Sequence, residues 1–147
     1  MRQWTHSDLL LSDINDFSRK FIPELRNLFP SELPADQQEF RIAFMQEELD
    51  EYAKACQEKD LPGQFDALID LVYVALGTAW MQGFPFSAGW AEVQRANMSK
   101  ERATDDPNKQ TKRKSTIDVF KPEGWVGPDI DRVLAEHVTE VREEQLR

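Results

Sequence analysis

Phe65-Asp66-Ala67-Leu68-Ile69-Asp70-Leu71-Val72-Tyr73-Val74-Ala75-Leu76-Gly77-Thr78-Ala79-Trp80-Met81 is the most apolar stretch of the chain, and Asp66 and Asp70 are its only charged residues. The stretch reads as one helix: Asp60 can cap it, Pro62 suits its first turn, and Gly83 lies beyond its end. A helix that is apolar nearly all round must be surrounded, at the centre of a bundle or at an interface between copies. Two carboxylates inside such a helix need a partner. Buried without compensation, a carboxylate either takes up a proton or meets a cation, most simply a divalent metal.

Upstream, Leu28-Phe29-Pro30-Ser31-Glu32-Leu33-Pro34 breaks the chain, and Pro34 opens a second helix that runs to about Lys59. On one face of it, Ile42, Met45, Leu49, Tyr52 and Cys56 recur at steps of three and four, the mark of packing against a neighbour. On another, Phe40, Phe44, Glu47, Glu48, Glu51 and Ala55 share an arc of roughly 100°, aromatic at one end and acidic at the other. That face is expected to be covered by another helix or subunit. Before it, Ser7 or Asp8 can cap a first helix carrying Leu10, Ile14, Phe17, Phe21, Leu25 and Leu28, which Pro23 kinks or divides. A fourth helix spans about Ser87 to Ser99, residues 101–128 read as a polar loop, and a last amphipathic helix covers about 129–146. No convincing β alternation or internal repeat occurs. The expected class is all-α, a bundle of four to five helices in a single domain, with its exposed apolar faces closed by assembly into a homodimer or homotetramer.

The chain has 147 residues, 40% of them hydrophobic, enough for one domain with a genuine core. With 27 acidic and 18 basic residues its net charge is -9, which disfavours binding to nucleic acid or to an anionic membrane surface. The single cysteine, Cys56, excludes an internal disulfide and reads as a small core residue. The first residues, Met1-Arg2-Gln3-Trp4-Thr5-His6, carry no signal-peptide pattern, and the apolar stretch is shorter than the roughly 20 residues of a membrane span. The expected location is the cytoplasm, or a host's cytoplasm if the protein is viral.

Two constellations carry chemistry. Glu47, Glu48 and Glu51 lie three and four residues apart on one helix, as do Asp66 and Asp70 on the next, and an antiparallel hairpin near Lys59 to Gly63 brings the pairs face to face. Oxygen ligands without His or Cys suit Mg²⁺ or Mn²⁺, and Mg²⁺ characteristically binds substrate phosphates. The bland alternatives are a solvated glutamate surface and an ion pair of the aspartates with a buried Arg or Lys. The second constellation is basic: Arg95, Lys100, Arg102, Lys109, Lys112, Arg113, Lys114 and Lys121 can neutralise a polyphosphate or simply keep a loop soluble. His6 and His137 sit near opposite ends of the chain, which gives little support to a nucleophile–histidine system. Trp125 can stack on a base or anchor its loop, and Asp13 can accept hydrogen bonds from a purine edge or be an ordinary surface acid.

Glu47-Glu48-x-x-Glu51, the helix from Asp66 to Ala79, Asn97-Met98-Ser99-Lys100 and the tail from Phe120 to Asp129 together resemble the MazG-like all-α nucleoside triphosphate pyrophosphohydrolases, over about residues 38–128. The resemblance is to the short, single-domain branch found in bacteria and phages. It implies Mg²⁺ or Mn²⁺ held by Glu47, Glu48, Glu51 and Asp70, with Glu47 or Glu48 activating water, and hydrolysis of a (deoxy)nucleoside triphosphate to the monophosphate and pyrophosphate. It also implies that Asn97 and Lys100 contact phosphate, with Lys112 and Lys114 as further phosphate candidates. A purine substrate, dGTP or dATP, in phage nucleotide metabolism fits this branch. One departure stands out: the family pattern has Glu-x-x-Asp on the second metal helix, whereas here Ala67 fills the Glu position and Asp66 is the candidate replacement. The alternatives are a pyrophosphohydrolase for another nucleotide, such as phosphoribosyl-ATP, and a catalytically silent helical module.

Overall fold

The computed structural model describes residues 6–147, and these form helices α1 (His6–Phe21), α2 (Ala35–Glu58), α3 (Leu61–Met81), α4 (Phe86–Met98) and α5 (Ile130–Gln145). Short 3-10 turns at Pro23–Leu25 and Pro107–Lys109, and the two-residue strands β1 (Glu101–Arg102) and β2 (Val119–Phe120), complete the elements. The class is all-α, as the sequence predicts. Met1 to Thr5 lie outside the described residues, as do the side chains of Ser7 and Asp8, so the expected first cap is not assessed. Among the described residues no single helix is long and apolar enough to cross a membrane. Contacts gather the chain into two compact units: one runs to Phe86 and takes up His137–Arg147, the other is Ser87–Glu136.

In the first unit α3 packs against α2 and α1. The Asp60 carboxylate caps α3 by accepting from the Gly63 amide at 3.2 Å, Pro62 occupies the first turn, and Lys59 closes α2 in a left-handed conformation with φ 57°. Pro23 divides rather than kinks, since α1 stops at Phe21 and a 3-10 turn follows. Small residues decide how α3 is buried. Ala67, Val74, Gly77 and Met81 form its inward face, while Phe65, Leu68, Ile69 and Val72 are exposed. The first part of the helix is therefore enclosed on one side only, whereas from Leu76, which is buried on the opposite side, to Met81 every residue is buried or half-buried. Asp66 belongs to the exposed side and Asp70 is half-buried, which corrects the expectation that both aspartates are buried.

The inward face of α2 also differs from expectation. Arg41, Glu48 and Ala55, spaced by sevens, point toward α3 with half-buried Phe44, Met45 and Tyr52 beside them; Ile42, Leu49, Phe40 and Cys56 are exposed. At 100° per residue the packed stripe lies between the apolar seam and the aromatic–acidic face, keeping Met45 and Tyr52 of the one and Phe44, Glu48 and Ala55 of the other. A buried acid and a half-buried arginine occupy places where the hydrophobic pattern puts Leu49 and Ile42.

Gly83 ends this packing. Its φ is +69°, and a Cβ there would lie 2.6 Å from the Asn27 carbonyl oxygen, in the turn where the Asn27 amide donates to the Met81 carbonyl at 2.8 Å. Only glycine combines that conformation with that approach. Gly83→Ala is expected to cost roughly 1–3 kcal/mol, read as a lower midpoint in denaturant unfolding; an unchanged midpoint would remove the turn from the stability argument.

In the second unit, β1 and β2 pair antiparallel, with Glu101 opposite Phe120 and Arg102 opposite Val119. This small ladder is a correction to the plain loop expected over 101–128. It closes a loop whose Asp118 carboxylate accepts from Arg113, from the Thr111 hydroxyl at 2.6 Å and from the Val119 amide at 2.9 Å. Those bonds hold the Asp118 carboxyl well below its usual range, the Arg113 guanidinium contributing most. On α4, the buried Glu92 carboxylate accepts from Arg95, from Arg132 and from the Asp129 amide, which ties the start of α5 to α4.

Candidate active site

A cavity of about 210 Å³ opens between α1, α2 and α3, with Glu48 and Asp70 beside Arg41 and with Phe17, Phe44 and Tyr73 among its walls. The heptad spacing of α2 places Arg41 and Glu48 two turns apart on the same face, and the i, i+4 spacing of α3 sets Asp70 one turn beyond Asp66. Edge-to-face packing of Phe17 on Tyr73, with ring centroids 5.4 Å apart, fixes one aromatic wall.

Glu48 is only 7% exposed, and its Oε2 has no hydrogen-bond partner. Burial raises its pKa, and the negative charges of Glu51, Asp70, Glu47 and Asp66 raise it further. The five acids singled out in the sequence therefore share one electrostatic environment, with Glu48 inside and Glu47, Glu51 and Asp66 exposed around it. Among the described residues no three His, Cys, Asp or Glu side chains stand close enough to hold a metal ion as they are placed. Their like charges repel, and a cation among them would relieve that repulsion. The donor set is all hard oxygen and includes an orphaned buried carboxylate oxygen; it fits Mg²⁺ or Mn²⁺. The ion-pair alternative has no support, because neither Asp66 nor Asp70 is in a salt bridge among the described residues.

Arg41 is the residue that sequence reasoning missed. Its Nε donates to the Thr78 hydroxyl at 2.9 Å and its Nη2 to the Val74 carbonyl at 2.7 Å, while the guanidinium lies 5.4 Å from the Phe44 ring centroid. Thr78 in turn donates to the same Val74 carbonyl at 2.8 Å. Gly77 leaves the room: a Cβ there would stand 3.1 Å from Nη2. The available signal was a basic residue two turns before Glu48 on the same face, one of two on a helix with seven acids.

The remaining candidates fall elsewhere. Asp13 is exposed and borders a separate hollow of about 300 Å³ walled by Phe65, Ile69 and Val72. Asn97, Lys100, Lys112, Lys114 and Trp125 all belong to the second unit. There Lys100 Nζ donates to the Asn97 side-chain oxygen at 2.8 Å, and Lys100 and Lys121 lie 5.5 and 4.7 Å from the Trp125 ring centroid. Trp125 donates from its indole nitrogen to the Ala96 carbonyl at 2.9 Å, the geometry of an anchor for its loop. Lys112 and Lys114 are exposed.

A family model described as phosphoribosyl-ATP pyrophosphohydrolase matches residues 14–97, more than half of the chain, a span that contains Arg41 and all five carboxylates. No curated protein matches.

Proposed function

The chain belongs to the phosphoribosyl-ATP pyrophosphohydrolase family, and we propose that it is a MazG-like hydrolase that cleaves a (deoxy)nucleoside triphosphate to the monophosphate and pyrophosphate with Mg²⁺ or Mn²⁺. The observation that carries this reading is the unpartnered Oε2 of a buried glutamate surrounded by four further carboxylates. Glu47, Glu48, Glu51, Asp66 and Asp70 would hold the ion, Asp66 standing in for the glutamate absent at Ala67. When bound, such an ion neutralises phosphate charge and makes a water more acidic. Glu47 or Glu48 would take the proton from the attacking water, Glu48 by its place in the cavity beside Asp70.

A second reading, phosphoribosyl-ATP as the substrate, is favoured by the description of the matching family. Incubation with each nucleoside triphosphate and with phosphoribosyl-ATP, in the presence of Mg²⁺, separates the two by the pyrophosphate released. Release from at least one nucleoside triphosphate, stopped by EDTA, is expected. Release from phosphoribosyl-ATP alone would move the assignment to the second reading, and release from nothing would leave a silent module.

A further inference from the structure

Arg41 is half-buried in the same cavity as Glu48 and Asp70, yet it is in no ion pair among the described residues. One edge of its guanidinium, Nε with Nη2, is committed to Thr78 and to the Val74 carbonyl, which fixes the plane of the group. Burial lowers its pKa, so the cation is held at a cost that no carboxylate offsets. Among the described residues Nη1 donates no hydrogen bond. An arginine has five N–H donors and no acceptor, so whatever meets its remaining edge must accept.

The cavity indicates which part of a nucleotide that is. At about 210 Å³ it is smaller than the roughly 300–1,000 Å³ of sites that enclose a whole small molecule. Its walls include Phe17, Phe44 and Tyr73, which suit a flat π surface, while the phosphates belong with the carboxylates at its acidic side. We propose that Arg41 is a specificity-determining residue that selects nucleobases presenting an oxo group over those presenting an amino group in the same place. A ring carbonyl accepts from the free guanidinium edge, whereas an exocyclic amine sets donor against donor and leaves the buried N–H groups unpaired.

This inference rests on the hydrolase reading above. The two are separated by substrate pairs that differ mainly in that exchange, dITP against dATP and dUTP against dCTP, together with calorimetric binding of dIMP against dAMP. Wild-type protein is expected to favour the oxo member of each pair on the order of 10- to 100-fold in kcat/KM, and to bind dIMP the more tightly. Arg41→Met, and Arg41→Lys, which keeps the charge and the stem but loses the planar fork, should bring the ratios to about twofold or less while circular dichroism stays unchanged. Equal use of oxo and amino bases by the wild type would overturn the inference while leaving the hydrolase intact. So would a ratio that survives in either folded variant, or a uniform loss across all four nucleotides. If none of the four is turned over, the calorimetric comparison decides the inference alone, and equal or tighter binding of dAMP overturns it, while the hydrolase reading stands or falls on the full nucleotide panel.

Discussion

Glu48→Gln is expected to lower pyrophosphate release by roughly 10²- to 10⁴-fold and, at the same time, to raise the melting temperature of the metal-free protein by about 2–4 °C. The two effects have one origin. The Glu48 carboxylate is buried, one of its oxygens is unpartnered, and four acids press upon it, so its charge works against the fold unless a cation arrives. Its folded pKa is raised, hence the native state holds the proton more tightly than the unfolded chain. The resulting loss of stability develops as the pH rises from the ordinary value of 4.5 through the raised one. The glutamine variant should lack that decline. A third measurement ties the charge to metal: Mg²⁺ at 100 times its dissociation constant stabilises a binding protein by about 2.7 kcal/mol, and the upward shift of the melting curve should be present in the wild type and lost in the variant. A variant that melts lower and still releases pyrophosphate would make Glu48 a structural acid and remove it from the site.

The parts of the fold that were legible in the sequence are those set by neighbours along the chain. Asp60, Pro62 and Gly83 bracket α3 because capping, a fixed φ and a positive φ act within a few residues. The inward face of α2 was legible in part: Phe44, Glu48 and Ala55 lie on the face expected to be covered and Met45 and Tyr52 on the seam, whereas the hydrophobic pattern ranks the exposed Ile42 and Leu49 above Arg41 for burial. For the same reason Asp66 was placed inside an apolar helix that turns one side to solvent. The β1–β2 ladder left no trace in Glu101-Arg102, two polar residues paired only through a partner 17 or more positions away. The five acids were readable as a group from their spacing. Arg41 was not, since its role depends on Thr78, Gly77 and Val74, which only the packing of α3 brings to it.

Glu92 is the opposite case to Glu48, and its loss should have the largest effect on stability. Its carboxylate accepts from Arg95 at 2.8 Å, from the Asp129 amide at 3.0 Å and from Arg132 at 3.4 Å. Those donors, the Arg95 bonds first, pull its pKa from 4.5 down to about 2. A depressed folded pKa means that the unfolded chain binds the proton more readily, so the contribution of Glu92 is complete above 4.5 and fades as the pH falls toward 2. Glu92→Gln should therefore melt well below the wild type at neutral pH, and the gap should close across that acid window. The variant leaves Arg95 and Arg132 without their shared anion, and the Asp129 amide, deprived of a charged acceptor, should exchange its hydrogen faster than the amides inside α3. Arg132→Met should do less, because Arg132 also bonds Glu136 and supplies the longest of the three contacts to Glu92. Melting curves that coincide at every pH would show that the clasp contributes nothing. The contrast carries the functional argument as well: one buried acid is held by two guanidiniums and an amide, as a structural carboxylate must be, while the other has an oxygen without a partner, in a cavity lined by another acid and by an arginine that is in no ion pair among the described residues.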